Sequence, residues 1–156
     1  MTEIAFYHLE KSPLERVLPK LLEKTLAAGK RALVLAGSEG RVEALAGHLW
    51  TYEEGSWLPH GTAKDGSPEE QPVWLATKDE NANDAQFLFL TDGAQSGAVD
   101  GFERCFELFD GGDLEAVNAA RGRWKAYADA GHDLTYWRQG DDGRWELSSH
   151  VQKAGA

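Results

Sequence analysis

The chain has 156 residues, 42% of them hydrophobic, which suits one domain with its own apolar core and is short for two. It carries 16 Lys plus Arg against 26 Asp plus Glu, a formal charge of −10, which argues against a surface that grips a phosphate backbone throughout. Its single cysteine, Cys105, excludes an internal disulfide and a cysteine-built zinc site.

The charge is uneven. Residues 1–60 hold 7 basic and 8 acidic groups, 61–120 hold 3 and 13, and 121–156 hold 6 and 5. The first sixteen residues contain acids and no 7–15-residue apolar core, so no signal peptide is expected. No run approaches 18 consecutive apolar residues. The expectation is a soluble, cytoplasmic protein.

Ile4 to Leu9 reads as a first strand. Ser12 as N-cap, Pro13 at the first helical position and Glu15 at the third then predict a helix start, followed by Leu14, Val17, Leu18, Leu21, Leu22 and Leu26 at helical spacing. Pro19 is expected to kink or tighten it, and Gly29 to end it. Arg31–Ala36 reads as a buried strand, and Ser38 to Trp50 as a second helix with Val42, Leu45, Ala46 and Leu49 on one stripe. Residues 51–71 form a long polar loop. Val73–Ala76 and Gln86–Thr91 are two further strands around an Asn-rich turn at 78–85, and Phe102–Phe109 fits either a strand or a helix. Asp113 can cap a last helix that reaches Ala130 and stops at Gly131. Asp141-Asp-Gly143 is a hairpin signal between Tyr136-Trp137 and Trp145. The alternation of strand and helix predicts an α/β fold with a mostly parallel sheet.

Most chemistry sought in this sequence is missing. Ala36-Gly-Ser-Glu-Gly40 stands where a phosphate loop would stand, but it lacks Gly-Lys-[Ser/Thr] and places Glu39 against the phosphate, so a tight turn with Ser38 as cap is the better reading. Asp79-Glu-Asn-Ala-Asn-Asp84 begins like a calcium loop but has Asp84 at position 6 and Leu90 at position 12, where glycine and glutamate belong. The histidines His8, His48, His60, His132 and His150 show no metal-ligand spacing, and Cys105 lies in an apolar segment. No catalytic residue, metal ligand or cofactor is assigned.

Residues 116–128 are the exception to the acidic trend, with three bases and no acid. On a helical wheel Leu114, Val117, Arg121, Trp124, Lys125 and Ala128 share one broad arc, and Arg123 points nearly opposite. Two readings fit: a pocket for a ligand both anionic and apolar, or a core tryptophan with two bases snorkelling at its edge. A second cluster, Leu49-Trp50 and Trp57-Leu58-Pro59-His60, holds tryptophans that either cap the core or form a partner patch.

Phe6-Tyr7, Gly29-Lys30-Arg31, Leu49-Trp50, Trp57-Leu-Pro-His60 and Ala120-Arg-Gly-Arg-Trp-Lys-Ala-Tyr127 with Gly131 together resemble the chi subunit of bacterial DNA polymerase III holoenzyme, over about residues 4–137. The resemblance implies a Rossmann-like three-layer α/β domain at 1–137, with helices on both faces of the sheet, and a C-terminal hairpin strand and tail at 138–156. It also implies a non-catalytic accessory subunit that links the clamp loader to single-stranded DNA-binding protein (SSB) through that protein's acidic, Phe-terminated C-terminal tail. By position, Arg121 would meet the terminal carboxylate, Lys125 the nearby acids, and Trp124 with Val117 the phenylalanine ring. Well-known members carry a lysine where this chain has Val117, which implies a less basic pocket and weaker binding. Trp50, Trp57, Pro59 and His60 match the patch that meets the psi subunit or, in some bacteria, a helicase-like partner. Tight direct binding of nucleic acid is not expected, nor of membrane. The reading from a different class is a nucleotide-utilising α/β enzyme working at the Gly37–Gly40 turn.

Overall fold

Strand β1 (Glu3–Leu9) is apolar at nearly every position because it has neighbours on both edges and packing on both faces. The computed structural model describes residues 2–53 and 58–151. Helix α1 (Leu14–Ala27), strand β2 (Ala32–Leu35), helix α2 (Glu39–Thr51), strands β3 (Val73–Ala76), β4 (Phe87–Leu90) and β5 (Arg104–Asp110), helix α3 (Leu114–Asp129), and strands β6 (Asp133–Gln139) and β7 (Trp145–Val151) follow in order. The sheet runs β3-β2-β4-β5-β1-β6-β7, parallel from β3 to β6, with β7 antiparallel at the edge. The molecule is therefore mixed α/β with a seven-stranded, mostly parallel sheet.

Strand alternation sorts the core into two clusters. Ala5, Val34, Leu75, Phe89 and Phe106 pack with Val17, Leu18 and Leu22 of α1 and Val42, Leu45 and Leu49 of α2. Ile4, Phe6, Leu33, Leu88, Cys105 and Phe109 pack instead with Val117 and Ala120 of α3. Phe6, fully buried, touches both Trp124 and Tyr136 and ties α3 to the centre of the sheet.

The start of α1 differs from expectation. Pro13, in extended conformation, is the N-cap, without a side-chain hydrogen bond, and its carbonyl accepts from Arg16 and Val17. Ser12 is held by β6: its N–H donates to Gln139 Oε1 at 3.1 Å, and its hydroxyl accepts from Gln139 Nε2 at 3.2 Å. A tertiary clamp has outcompeted the local cap. The helix also runs without interruption through Pro19, whose ring is buried. At its end Gly29 takes φ +75°, its N–H reaching Leu26 O while Lys30 N–H reaches Thr25 O, the paired closure that a left-handed glycine permits.

Other signals hold. Ser38 accepts from Arg41 N–H at the start of α2, and Asp113 accepts from Glu115 N–H and Ala116 N–H at the start of α3. Residues 104–110 are strand, resolving the ambiguity over 102–109. Gly143, at φ +80°, closes the β6–β7 hairpin, and its N–H donates to Gly140 O. A bulge beside Tyr136/Trp137 interrupts that pairing. Among the described residues no helix is long and apolar enough to cross a membrane.

Candidate functional site

Helix α3 lies against the sheet with Val117 and Ala120 buried, Trp124 and Tyr127 half-buried, and Arg121 and Lys125 exposed. The Trp124 indole packs edge-on against Phe6 at 5.2 Å and Tyr136 at 5.7 Å between ring centroids. Arg121 and Lys125 make no hydrogen bond or ion pair among the described residues, whereas most other cations of the chain are paired with a carboxylate. Leu114, two turns before Arg121 on the same side of α3, is 72% exposed. The arrangement is a flank of α3 on which two free cations border an aromatic wall.

Arg123 leaves that arc, as the helical wheel predicts, and turns into the protein. Its Nε donates to both carboxylate oxygens of Glu107 at 3.0 Å, and the Tyr127 hydroxyl donates to Oε2 at 3.0 Å. The Glu107 side chain is only 2% exposed. Burial pushes its carboxyl above the ordinary value, partly offset by the Arg123 charge and its hydrogen bond. Burial likewise raises the Tyr127 hydroxyl and, well above its ordinary value, the Cys105 thiol. Cys105, fully buried, is thus a packed core thiol. Sequence reasoning missed Glu107 because it stands alone in the apolar run Arg-Cys-Phe-Glu-Leu-Phe; its even spacing to Cys105 and Phe109 was the available signal.

Beside Trp124 a polar chain runs across the sheet. Tyr136 Oη lies 2.7 Å from His8 Nδ1, His8 Nε2 lies 2.8 Å from Glu10 Oε1, and Arg138 Nη2 donates to the same Glu10 oxygen at 2.7 Å. Arg138, by hydrogen bonding first, holds the Glu10 carboxyl below its ordinary value. Burial raises the Tyr136 hydroxyl, while the charges of Arg138 and Arg121 both act to lower it. Gly111 completes the chain: a Cβ there would overlap the His8 ring.

The second predicted cluster is only partly brought together. Trp50 is 60% exposed and its ring sits 4.7 Å from that of His60. His60 is buried beneath it, with Nδ1 2.7 Å from Leu58 O and Nε2 2.9 Å from Ala46 O, so it supports the indole instead of presenting itself at the surface. Pro59 is half-buried beside it, and Trp57 lies outside the described residues.

At the C-terminal ends of β1, β4 and β5 a crevice of about 940 Å³ opens, where α/β sheets commonly hold ligands. Its lining is net acidic, with Glu10, Glu15, Asp92, Asp110, Asp113 and Glu115 against Lys11, Arg41 and Arg123, a balance unfavourable to phosphate. Arg41, on its rim, is already engaged by Asp92 at 3.0 Å and Glu15 at 3.3 Å. In the neighbouring turn Gly37 packs on Asp92, and Glu39 accepts from the Thr77 hydroxyl. Nothing here cradles a nucleotide. The calcium-like segment instead ties neighbouring loops and strands together: Asp79 accepts from Ser96 and Gly97, Asn81 from Ala85 N–H, and Asn83 is buried and donates to Ala32 O and Gln71 O. Among the described residues no group of three or more His, Cys, Asp or Glu could hold a metal ion.

These features define an α/β domain in which one flank of α3 sets two exposed cations, Arg121 and Lys125, beside the half-buried Trp124. A family model described as DNA polymerase III chi subunit, HolC, matches residues 1–135. A curated protein named probable DNA polymerase III subunit chi, from Rickettsia prowazekii (strain Madrid E), is 27% identical over 90 residues, 58% of this chain. The chain spans about half the length of that relative, 54% of it. The chain belongs to the DNA polymerase III chi subunit family, accessory subunits of the replicative polymerase.

Proposed function

We propose that this protein is a non-catalytic adaptor that joins the clamp loader to SSB by binding the acidic, Phe-terminated SSB tail on the exposed flank of α3. The observation that carries the reading is the pair of free cations, Arg121 and Lys125, beside the half-buried Trp124. A carboxylate-bearing tail with an aromatic end needs a guanidinium for the one and an apolar wall for the other. Arg121 is the partner of the terminal carboxylate, Lys125 of the nearby acids, and Trp124 with Val117 of the ring. The dense acid elsewhere supports binding to SSB in place of bare DNA, since an acidic surface repels both tail and backbone except at this flank.

In the same reading Trp50, Trp57, Pro59 and His60 form the patch for psi or a functional substitute. Residues 1–137 are one Rossmann-like three-layer domain in the cytoplasm, and 138–156 are an appended hairpin strand and tail. No cofactor is required.

Fluorescence anisotropy with a labelled SSB-tail peptide tests this. Binding in the micromolar range is expected at low salt, weakened by added salt and by Arg121→Ala at least tenfold, about the value of one charge-assisted contact. Equal affinity of the native and Arg121→Ala chains overturns the assignment.

A further inference from the structure

The strongest unassigned feature is the Tyr136–His8–Glu10–Arg138 chain, which continues the face of α3 onto the sheet. Tyr136 and Arg138 alternate with Trp137 along β6 and face the side that α3 packs on, as Phe6 and His8 do on β1. Trp124 packs edge-on against Tyr136, so the aromatic wall of the α3 flank runs into this chain without a break. Arg138 and Glu10 are exposed at 49% and 32% of their side chains. An ion pair this open is weakly held and can exchange partners.

We infer that the groove for the acidic partner extends across Tyr136 to a second cation, Arg138, which Glu10 occupies in the free chain and a carboxylate of the bound peptide takes over. This rests on the proposed reading of α3 as the site of an acidic peptide and adds to it a subsite on β6. Three observations carry it. Val117 leaves α3 with only Arg121 and Lys125 as free cations, so a peptide with several acids has charge left to pair. Glu10 places a carboxylate on Arg138 in the geometry a partner's carboxylate would need, at 2.7 Å. Glu10 also keeps a partner when released, because His8 Nε2 stands 2.8 Å away. That contact needs the proton on Nε2, which leaves Nδ1 to accept from the Tyr136 hydroxyl, so both ends of the imidazole stay satisfied during the exchange.

The subsite makes predictions of opposite sign for its two members. Glu10→Gln removes the internal competitor and is expected to tighten binding of the labelled acidic peptide about threefold, while Arg138→Gln weakens it about fivefold, changes of the size that single exposed charges produce. The titrations use the full chain at low salt, with Arg121→Ala alongside and melting temperature measured for each variant. If Glu10→Gln and Arg138→Gln both bind as the native chain does while Arg121→Ala is weakened, the peptide stays on α3 and the subsite is wrong, though the adaptor reading stands. If both variants weaken binding and lower the melting temperature together, the pair is only structural and the subsite is also wrong. If the native chain does not bind the peptide, the adaptor reading fails and takes the subsite with it.

Discussion

Glu107 and Arg123 show how one buried contact orients a surface. The bifurcated contact of Arg123 Nε with the Glu107 carboxylate, with Tyr127 as third partner, anchors one side of α3 to β5 and so leaves Arg121 and Lys125 on the free flank. Truncating one partner strands the other charge, and Arg123→Ala is expected to cost about 3–5 kcal/mol in urea unfolding. The pH dependence has a definite sign. Burial raises the Glu107 carboxyl, so the native state keeps its proton to higher pH than the unfolded chain. The contribution of this group to stability is therefore greatest at low pH and falls as pH rises through the window just above the ordinary carboxylate range. Unfolding free energies of the native chain and of Glu107→Gln, measured across that window, are expected to differ by an amount that declines as pH rises. A difference that grows with pH contradicts the assignment. None of this was legible from the sequence, where Arg123 shows only as a base off the arc and Glu107 as an acid inside an apolar strand.

At the scale of elements, local chemistry carried most of the reading wherever a cap or turn acts alone. Ser38, Asp113, Gly29, Gly131 and Gly143 each do what their type allows at that position. Asp113→Ala is expected to destabilise the protein by about 1 kcal/mol, read in urea unfolding, because two N–H groups at the start of α3 lose their acceptor. Local signals failed where a distant residue competes. Ser12 is a good cap by type, yet Gln139, 127 positions away, takes both its N–H and its hydroxyl, and α1 starts behind Pro13 instead. Gly111 is the same lesson at a turn: no φ requirement marks it, but the His8 ring leaves no room for a Cβ. Gly111→Ala is expected to lower the melting temperature and to perturb the Tyr136 hydroxyl contact through His8.

For the whole molecule, the order β3-β2-β4-β5-β1-β6-β7 places β5 at the centre, the first strand beside it in the interior of the sheet, and the hairpin at one edge. The strand-helix alternation in the sequence disclosed a mostly parallel sheet, but not which strands are neighbours, because every parallel pairing is made across an intervening segment of chain. The candidate site was legible on α3, where its residues recur at helical spacing, and illegible at the end of β1 and on β6, where His8, Glu10 just past the strand, Tyr136 and Arg138 meet it only through the fold. The net charge of −10 fits the proposed route to DNA through another protein's tail, with α3 as the local exception. The most direct measurement is a two-dimensional ¹H–¹⁵N spectrum of the full chain titrated with the unlabelled SSB-tail peptide. The account predicts that the Trp124 indole N–H and the backbone amides of Arg121 and Lys125 shift in a saturable, salt-sensitive way while the Trp50 indole does not. Shifts centred on Trp50, or none at all at low salt, contradict it.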